Sequence, residues 1–140
     1  MPQSFAFGRA DGGAELFASV AAVGQTTLAA QTTLVAAATK ATGGLNVVTP
    51  IAGSTAFRLP LNAAVGSPII VTNNAATAVT LSVFPPFNEV TGVAAGGVIF
   101  GWQAVLPTAN ASMAVGQGRT VVFYPHPNGI DFTAIWSAVA

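Results

Sequence analysis

Few residues of this 140-residue chain could carry out acid–base chemistry or bind a metal. Its only histidine, His126, lies between two prolines, and Asp131 is the only acidic residue near it in the sequence. A general base or a metal ligand needs partner side chains that orient it or share the ion. A single histidine in a Pro-His-Pro-Asn-Gly sequence is more typical of a solvated turn, and we favour that interpretation.

Two carboxylates, Glu89 and Asp131, could be paired for glycoside hydrolysis. The chain has only four acidic residues, and the other two lie near the N-terminus, so too few remain to support such a site. The alternative is that each carboxylate caps a turn or pairs with Arg58 or Arg119. The absence of cysteine excludes cysteine nucleophiles, thiolate metal sites and disulfides. We therefore expect no enzyme activity, no metal and no cofactor.

Two short motifs give weak functional signals. Gly116-Gln117-Gly118-Arg119 resembles a fragment of a phosphate-binding loop, but it lacks the lysine and the following helix that phosphate binding requires. A tight hairpin with glycines at positive φ explains it better. Asn110-Ala111-Ser112 matches the N-glycosylation sequence, although nothing in the chain indicates secretion.

The aromatic residues suggest a further kind of site, a platform on which sugar rings stack. Aromatic side chains inside strands more often belong to the core. The segment Phe84-Pro85-Pro86-Phe87 is the exception, because it follows a predicted strand and could form an exposed apolar tip that inserts into a neighbouring subunit. The residues considered for the platform are Phe84, Phe87, Phe100, Trp102, Tyr124 and Trp136.

Charged residues are unusually scarce. They make up 6 % of the chain, against about a quarter in an ordinary domain. A folded monomer of 13.9 kDa exposes roughly 6,700 Å². The eight charged residues are then spread at about one per 800 Å² of exposed surface. That area is roughly what one partner contributes to a standard protein interface. Such a surface at net charge zero favours association, so we expect a subunit of an assembly.

Composition also excludes several classes of function. No window of eighteen apolar residues is free of polar interruption, so no transmembrane helix is expected. Asp11 and Glu15 interrupt the apolar core that a signal peptide would need, so synthesis in the cytoplasm is expected. The four cationic residues are scattered, whereas phosphate binding depends on clustered lysine and arginine.

The chain divides into an N-terminal arm, residues 1–24, and a single domain, residues 25–140. The arm is rich in glycine and alanine and has little apolar bulk with which to anchor itself. A short internal repeat follows, in which the six residues Thr26–Gln31 are similar to the next six, Thr32–Ala37. Alanine permits a helix over residues 25–44, but the paired β-branched threonines favour a strand.

The domain contains short β-branched runs separated by glycine, proline and asparagine. One of them, Val79–Phe84, alternates apolar and polar residues, which is typical of a strand wet on one face. The polar segment Asn73–Thr77 has hairpin length. Strands at this spacing predict an all-β fold, an antiparallel β-sandwich or barrel with an extended N-terminal arm. The predicted strands are 46–49, 56–59, 69–72, 79–84, 98–105, 112–115, 120–124 and 130–139.

The segment from Asn46 to Val139 resembles small phage virion proteins of the head decoration (cement) type. The resemblance implies a β-rich body, commonly trimeric, seated at local three-fold positions of an icosahedral shell. It also implies an N-terminal arm that crosses the capsid surface. The segments that carry it are Asn46-Val47-Val48-Thr49, Phe57-Arg58-Leu59-Pro60, Gly66-Ser67-Pro68-Ile69-Ile70-Val71-Thr72-Asn73, Val115 to Tyr124, and Phe132-Thr133-Ala134-Ile135-Trp136.

The function implied by this resemblance is structural. A homotrimer would bind the major capsid protein on the capsid exterior, bridge capsomers and stabilise the shell; no nucleic acid, membrane or small-molecule substrate is expected. A phage tail or fibre module with a glycan- or receptor-binding β-sandwich is the alternative. A surface-layer or pilus-like subunit would require an export signal, which we do not find. The candidate interface residues are Phe5, Phe7, Arg9, Leu16, Phe17, Phe84 and Phe87.

Overall fold

The structure, a computed structural model, describes residues 26–29, 36, 38–101 and 107–136. These ranges form twelve strands and essentially no helix, and they contain no helix long and apolar enough to cross a membrane. The all-β prediction is confirmed, while the predicted arm lies outside the described residues. The strands are β1 (Thr26–Ala29), β2 (Thr39–Lys40), β3 (Gly44–Thr49), β4 (Ala56–Arg58), β5 (Ile69–Asn73), β6 (Leu81–Phe84), β7 (Phe87–Asn88), β8 (Val93–Ala94), β9 (Ile99–Phe100), β10 (Met113–Val115), β11 (Thr120–Pro125) and β12 (Phe132–Trp136).

The β-branched runs form strands at the predicted places because their alternation suits a sheet with one buried face. In β6, Leu81 and Val83 are buried while Ser82 and Phe84 are half-buried. In the first copy of the internal repeat, Thr26–Ala29 form β1, which confirms the strand prediction for these residues. Most of the second copy lies outside the described residues.

The strands belong to three sheets. The largest has six strands in the order β1-β3-β5-β11-β12-β9, and the second has four in the order β10-β6-β4-β2. The third is the short antiparallel pair β7-β8. Neither large sheet closes into a barrel among the described strands: β1 and β9 are edges of the six-stranded sheet, and β10 and β2 of the four-stranded one.

The large sheets are mixed, so the predicted antiparallel arrangement is wrong. Successive strands alternate between sheets: β3 and β5 lie in the six-stranded sheet, and β4 and β6 in the four-stranded one. Parallel neighbours need a crossover connection, and a strand in the other sheet supplies it, so β3 pairs with β5 and β4 with β6 in parallel. For the same reason Asn73–Thr77 is not a hairpin turn but leads from β5 to β6 in the other sheet.

Residues from both large sheets form one hydrophobic core. Phe57 of the four-stranded sheet and Phe123 of the six-stranded sheet are both fully buried and belong to the same cluster. Large aromatic and branched side chains dominate the core, which is where burial stabilises the fold most. The cluster also contains Ala41, Val48, Leu59, Ile69, Val71, Leu81, Val83, Ile99, Met113, Val115, Val121, Phe132 and Ala134.

Two predicted turns are present, and only one is a hairpin. At the first, the Arg119 amide donates to the Gly116 carbonyl at 3.1 Å, and Gly118 has a φ of +72°. This turn joins β10 to β11 in different sheets, so the hairpin prediction is wrong there. At the second, the Gly129 amide donates to the His126 carbonyl at 3.1 Å. It joins β11 and β12, which pair antiparallel, so it is a hairpin.

Candidate interaction surface

The β7–β8 hairpin follows the Pro85-Pro86 pair, and hydrogen bonds to Asn88 close its turn. The Asn88 side-chain oxygen accepts the amides of Val90 at 3.0 Å and of Thr91 at 3.1 Å. The Asn88 carbonyl accepts the Gly92 amide at 2.9 Å, and Gly92 has a φ of +74°, which glycine adopts without strain. An asparagine that bonds its own turn in this way holds the apex in one conformation.

Two apolar side chains of this hairpin are exposed to solvent. Val90, at the apex, is 96 % exposed, and Val93 on β8 is also exposed. Single exposed apolar residues are common on protein surfaces. Here, however, the valine stands on a turn whose backbone is fixed by three hydrogen bonds. An apex of this kind can enter a partner's pocket without losing much conformational entropy.

A buried arginine anchors the base of the hairpin. The Arg58 side chain, on β4, is only 10 % exposed. Its Nε donates to the Ala38 carbonyl at 3.0 Å, and a terminal nitrogen donates to Glu89 Oε2 at 2.5 Å. Its guanidinium carbon lies 5.6 Å from the centroid of the Phe87 ring. A buried charge requires such partners, so Arg58 ties the hairpin to the four-stranded sheet.

Glu89 connects this anchor to the surface. The hydrogen bond from Arg58, and then the positive charges of Arg58 and Lys40, lower the pKa of Glu89 below its ordinary value of 4.5. Lys40 Nζ lies 3.8 Å from Glu89 Oε2. Because the Glu89 side chain is 56 % exposed, salt and water screen these attractions. The carboxylate thus remains charged near neutral pH and partly faces solvent.

A half-open groove of about 210 Å³ runs beside the apex. Apolar side chains line it together with one positive and one negative side chain. The apex valine is part of its lining, so the exposed valine and the groove form one continuous surface. The lining residues are Lys40, Leu61, Phe87, Asn88, Glu89 and Val90.

Of the predicted interface residues, only Phe84 and Phe87 lie within the described ranges. Both are half-buried, and Phe87 packs beneath Arg58 at the base of the hairpin. Their part in an interface stays a prediction. The sequence analysis did not identify Val90 and Val93. Asparagine and glycine favour turns, and their presence at Asn88 and Gly92 could have predicted a turn with Val90 at its apex. Outside the described residues are Phe5, Phe7, Arg9, Leu16 and Phe17.

His126 and Asp131 take structural roles in the β11–β12 hairpin. His126 is half-buried rather than solvated: its ring stacks on Phe100 with 5.5 Å between centroids, and Nε2 lies 2.7 Å from Thr133 Oγ1. Asp131 Oδ1 accepts the Val98 amide at 2.8 Å, and Oδ2 accepts the Asn128 side-chain amide at 2.7 Å. Asp131 therefore caps the turn and Glu89 pairs with Arg58, as the sequence allowed. The described residues contain no cluster of three metal-ligating side chains.

The aromatic residues considered for a sugar platform do not share one face. Tyr124 pairs across strands with Thr133, whereas Trp136 pairs with the buried Val121. Because residues directly opposite each other share a face, and neighbours along a strand alternate, Tyr124 and Trp136 point to opposite faces. Trp102 lies outside the described residues.

Comparisons with known proteins assign the chain to no family. No family model matches it, and no curated protein or solved structure matches it either. Its composition and the geometry of the β7–β8 hairpin are therefore what support a functional proposal.

Proposed function

We propose that the protein is a structural virion component that binds the outer surface of an icosahedral phage capsid and bridges capsomers as a homotrimer. The observation that carries this proposal is the β7–β8 hairpin, whose fixed turn presents Val90 with 96 % of its surface exposed. The resemblance of residues 46–139 to head decoration proteins gives the class of partner, the major capsid protein.

The distribution of charge supports an assembling subunit. Of the five charged residues in the described ranges, Lys40, Arg58 and Glu89 meet at the base of the hairpin. Only Arg119 and Asp131 remain for the rest of the described surface. Surfaces with so little charge repel one another weakly and associate readily.

The proposed architecture is a β-sandwich, with the six- and four-stranded sheets as its layers and residues 1–24 as an N-terminal arm. Side chains of both sheets already share one core cluster, which favours this arrangement. The β7–β8 hairpin then projects from the four-stranded layer, since Arg58 on β4 holds its base. In a trimer, three such hairpins engage one shell at the same time.

The mechanism is insertion of the apex into an apolar pocket of the capsid protein. Full burial of a valine side chain contributes about 1.5–3 kcal/mol. One contact of this size is weak, but three linked contacts raise the overall affinity through effective concentration. A shell whose neighbouring capsomers are bridged in this way resists internal pressure and heat.

Binding to shells assembled from the phage's major capsid protein alone tests the proposal. Wild-type protein should co-sediment with these shells and raise the temperature at which they come apart. Val90→Asp should bind roughly tenfold more weakly or worse, because a carboxylate would have to be buried. Val65→Asp is the matched control, since Val65 is also exposed but lies in the loop between β4 and β5. Failure of the wild-type protein to bind or stabilise the shells would refute the proposal.

A phage tail or fibre module that binds glycans is the second candidate. It is favoured by a groove of about 230 Å³ where Trp136, 43 % exposed, lies near Arg119 and Val121. An exposed indole beside polar groups suits a sugar ring. Glycan-array binding that is lost in Trp136→Ala and kept in Val90→Asp would support this function over the first.

A further inference from the structure

One pair of neighbouring residues in this chain is chemically labile. Asn128 is the only asparagine that is followed by a glycine, Gly129. In such a pair the glycine backbone nitrogen can attack the side-chain carbonyl carbon of the asparagine. Glycine favours this attack because it has no side chain to obstruct it and because its backbone reaches the required geometry easily. The reaction is spontaneous deamidation, which needs only water.

Deamidation proceeds in two balanced steps. The Gly129 nitrogen loses its proton to a solvent base and forms a bond to Cγ of Asn128, while the bond from Cγ to Nδ2 breaks and ammonia leaves. A water molecule then opens the resulting cyclic imide at either of its carbonyls. The product is an aspartate or an isoaspartate at position 128, and either one carries a negative charge at neutral pH that asparagine lacks.

Three hydrogen bonds hold the Asn128 side chain in the turn between β11 and β12. Its Oδ1 accepts the amides of Ile130 at 3.1 Å and of Asp131 at 3.0 Å. Its Nδ2 donates to Asp131 Oδ2 at 2.7 Å, a bond that the negative charge of the acceptor strengthens. The nitrogen that must leave as ammonia is therefore the one that the Asp131 carboxylate holds.

The attacking nitrogen is also covered. The Gly129 amide donates to the His126 carbonyl at 3.1 Å, and Gly129 is buried although Asn128 is exposed. The proton that a solvent base must remove thus points at a carbonyl oxygen inside the turn. The base reaches it only when the turn opens.

The fold requires both members of this labile pair. Gly129 has a φ of +80°, and a Cβ added there would lie 2.2 Å from Asn62 Oδ1. At position 128 the side chain both accepts and donates hydrogen bonds, and a carboxylate there could not donate to Asp131. The chain therefore retains the pair, and the hydrogen bonds of the turn restrain its chemistry.

We propose that Asn128 is a deamidation site that reacts only when the β11–β12 turn opens, and that the modification then weakens the turn. The charge gained at position 128 would lie against Asp131 and repel it. Asp131 Oδ1 also accepts the Val98 amide at 2.8 Å, so the disturbance would reach the start of β9. The site does not involve the β7–β8 hairpin, and the proposal is independent of capsid binding.

Mass spectrometry of the tryptic peptide that follows Arg119 measures the reaction, because this peptide contains no asparagine besides Asn128. Full-length protein is incubated folded and, in parallel, in guanidinium chloride at the same pH and temperature. Asn128 should deamidate roughly a hundredfold more slowly in the folded protein. Equal rates in the two samples would overturn the proposal. Faster reaction in the folded sample would also overturn it, because the turn would then activate the carboxamide.

Two variants, verified as folded by circular dichroism, separate opening of the turn from unfolding of the whole chain. Asp131→Ala should speed deamidation of the folded protein roughly tenfold, because Nδ2 of Asn128 loses its bond to a charged partner. Asn73→Ala is the matched control: it removes buried hydrogen bonds elsewhere and should leave the rate unchanged. Equal acceleration in both variants, or none in Asp131→Ala, would show that the turn does not control the reaction.

The effect of the modification on the turn has its own test. Asn128→Asp carries the charge of the deamidated protein and should lower the urea midpoint of unfolding at neutral pH. Asn74→Asp is the matched control, because Asn74 is exposed in the connection between β5 and β6. A midpoint no lower in Asn128→Asp than in Asn74→Asp would show that the added charge does not weaken the turn.

Discussion

At the scale of single residues, two buried asparagines fix the path of the chain between the sheets. The Asn73 side chain donates to the carbonyls of Val79 at 2.9 Å and Val115 at 2.8 Å, and its oxygen accepts the Ala75 amide at 3.0 Å. These bonds hold the connection that leaves β5 for the other sheet. Buried polar groups must be paired in this way to avoid a large desolvation cost.

Asn46, on β3, does the same for the segment that leads into β3. Its side-chain oxygen accepts the Thr42 amide at 3.0 Å, and its side-chain nitrogen donates to the carbonyls of Thr42 at 2.9 Å and Ile70 at 3.2 Å. Both asparagines are fully buried. They stand in β-branched runs, Asn46-Val47-Val48-Thr49 and Ile70-Val71-Thr72-Asn73, where sequence alone indicates strand but gives no sign of a buried amide. Their bonding partners are fixed only by the fold.

Asn73→Ala should lower the free energy of unfolding by about 2–4 kcal/mol, because it leaves two carbonyls and an amide without their partner. Asn74→Ala is the matched control, since the neighbouring Asn74 is exposed, and it should change stability by about 0.5 kcal/mol or less. Urea denaturation measures both. Equal losses in the two variants would contradict the role assigned to Asn73.

The ion pair of Glu89 and Arg58 predicts a pH dependence. Because the pKa of Glu89 is lowered in the folded protein, its contribution to stability is present above the unfolded pKa and is lost as pH falls through the lower folded value. Urea midpoints measured from about pH 6 down to about pH 3 should therefore fall more steeply for wild-type protein than for Glu89→Gln. High salt should reduce this difference. Parallel midpoints for the two proteins would show that Glu89 does not gain from its partner.

At the scale of elements, the positions of the longer strands were predicted, but the short strands β7 and β8 and the pairing of the strands were not. The runs around β3, β5, β6 and β11 are visible as alternating β-branched residues bounded by proline and glycine. Pairing joins residues far apart in sequence, such as Gly44 with Ile69 in the parallel pair β3–β5. Turn-like segments such as Asn73–Thr77 look the same whether they join neighbours in one sheet or cross to another. Local composition therefore predicted antiparallel hairpins where the chain crosses between sheets.

The sequence analysis predicted which part of the chain contains the candidate site, but not which residue lies at its apex. Phe84-Pro85-Pro86-Phe87 was predicted to form an exposed apolar tip, which is wrong: both prolines are buried and both phenylalanines half-buried, and Phe87 lies under Arg58 at the base of the hairpin. The apex lies three residues further on, at Val90. The contact between Arg58 and Glu89 spans 31 residues and depends on the two sheets meeting, so sequence could offer it only as one of several alternatives.

The approach of the β8–β9 connection to the β11–β12 hairpin predicts a sharp contrast between two glycines. A Cβ added at Gly97 would lie 2.0 Å from the Ile130 carbonyl oxygen, so Gly97→Ala must displace backbone and should cost about 2–4 kcal/mol of stability. At Gly43 an added Cβ has nothing within 4 Å, so Gly43→Ala should be neutral or stabilise by up to about 1 kcal/mol. Thermal unfolding of the two variants checks this. A tolerated Gly97→Ala would show that the two connections do not lie against each other.

At the scale of the whole molecule, the scarcity of charge is the most unusual property of this protein. Three of the five charges in the described ranges are used at the base of one hairpin. The outer face of the six-stranded sheet has none on β3, β5, β11 and β12. We assign the β7–β8 hairpin to contacts between molecules.

The native mass of the purified full-length protein, measured by light scattering after size exclusion, shows whether the subunit assembles into the proposed homotrimer. We predict a trimer of about 42 kDa, three times the 13.9 kDa of the chain. A soluble, monodisperse species of 13.9 kDa would contradict the proposed homotrimer.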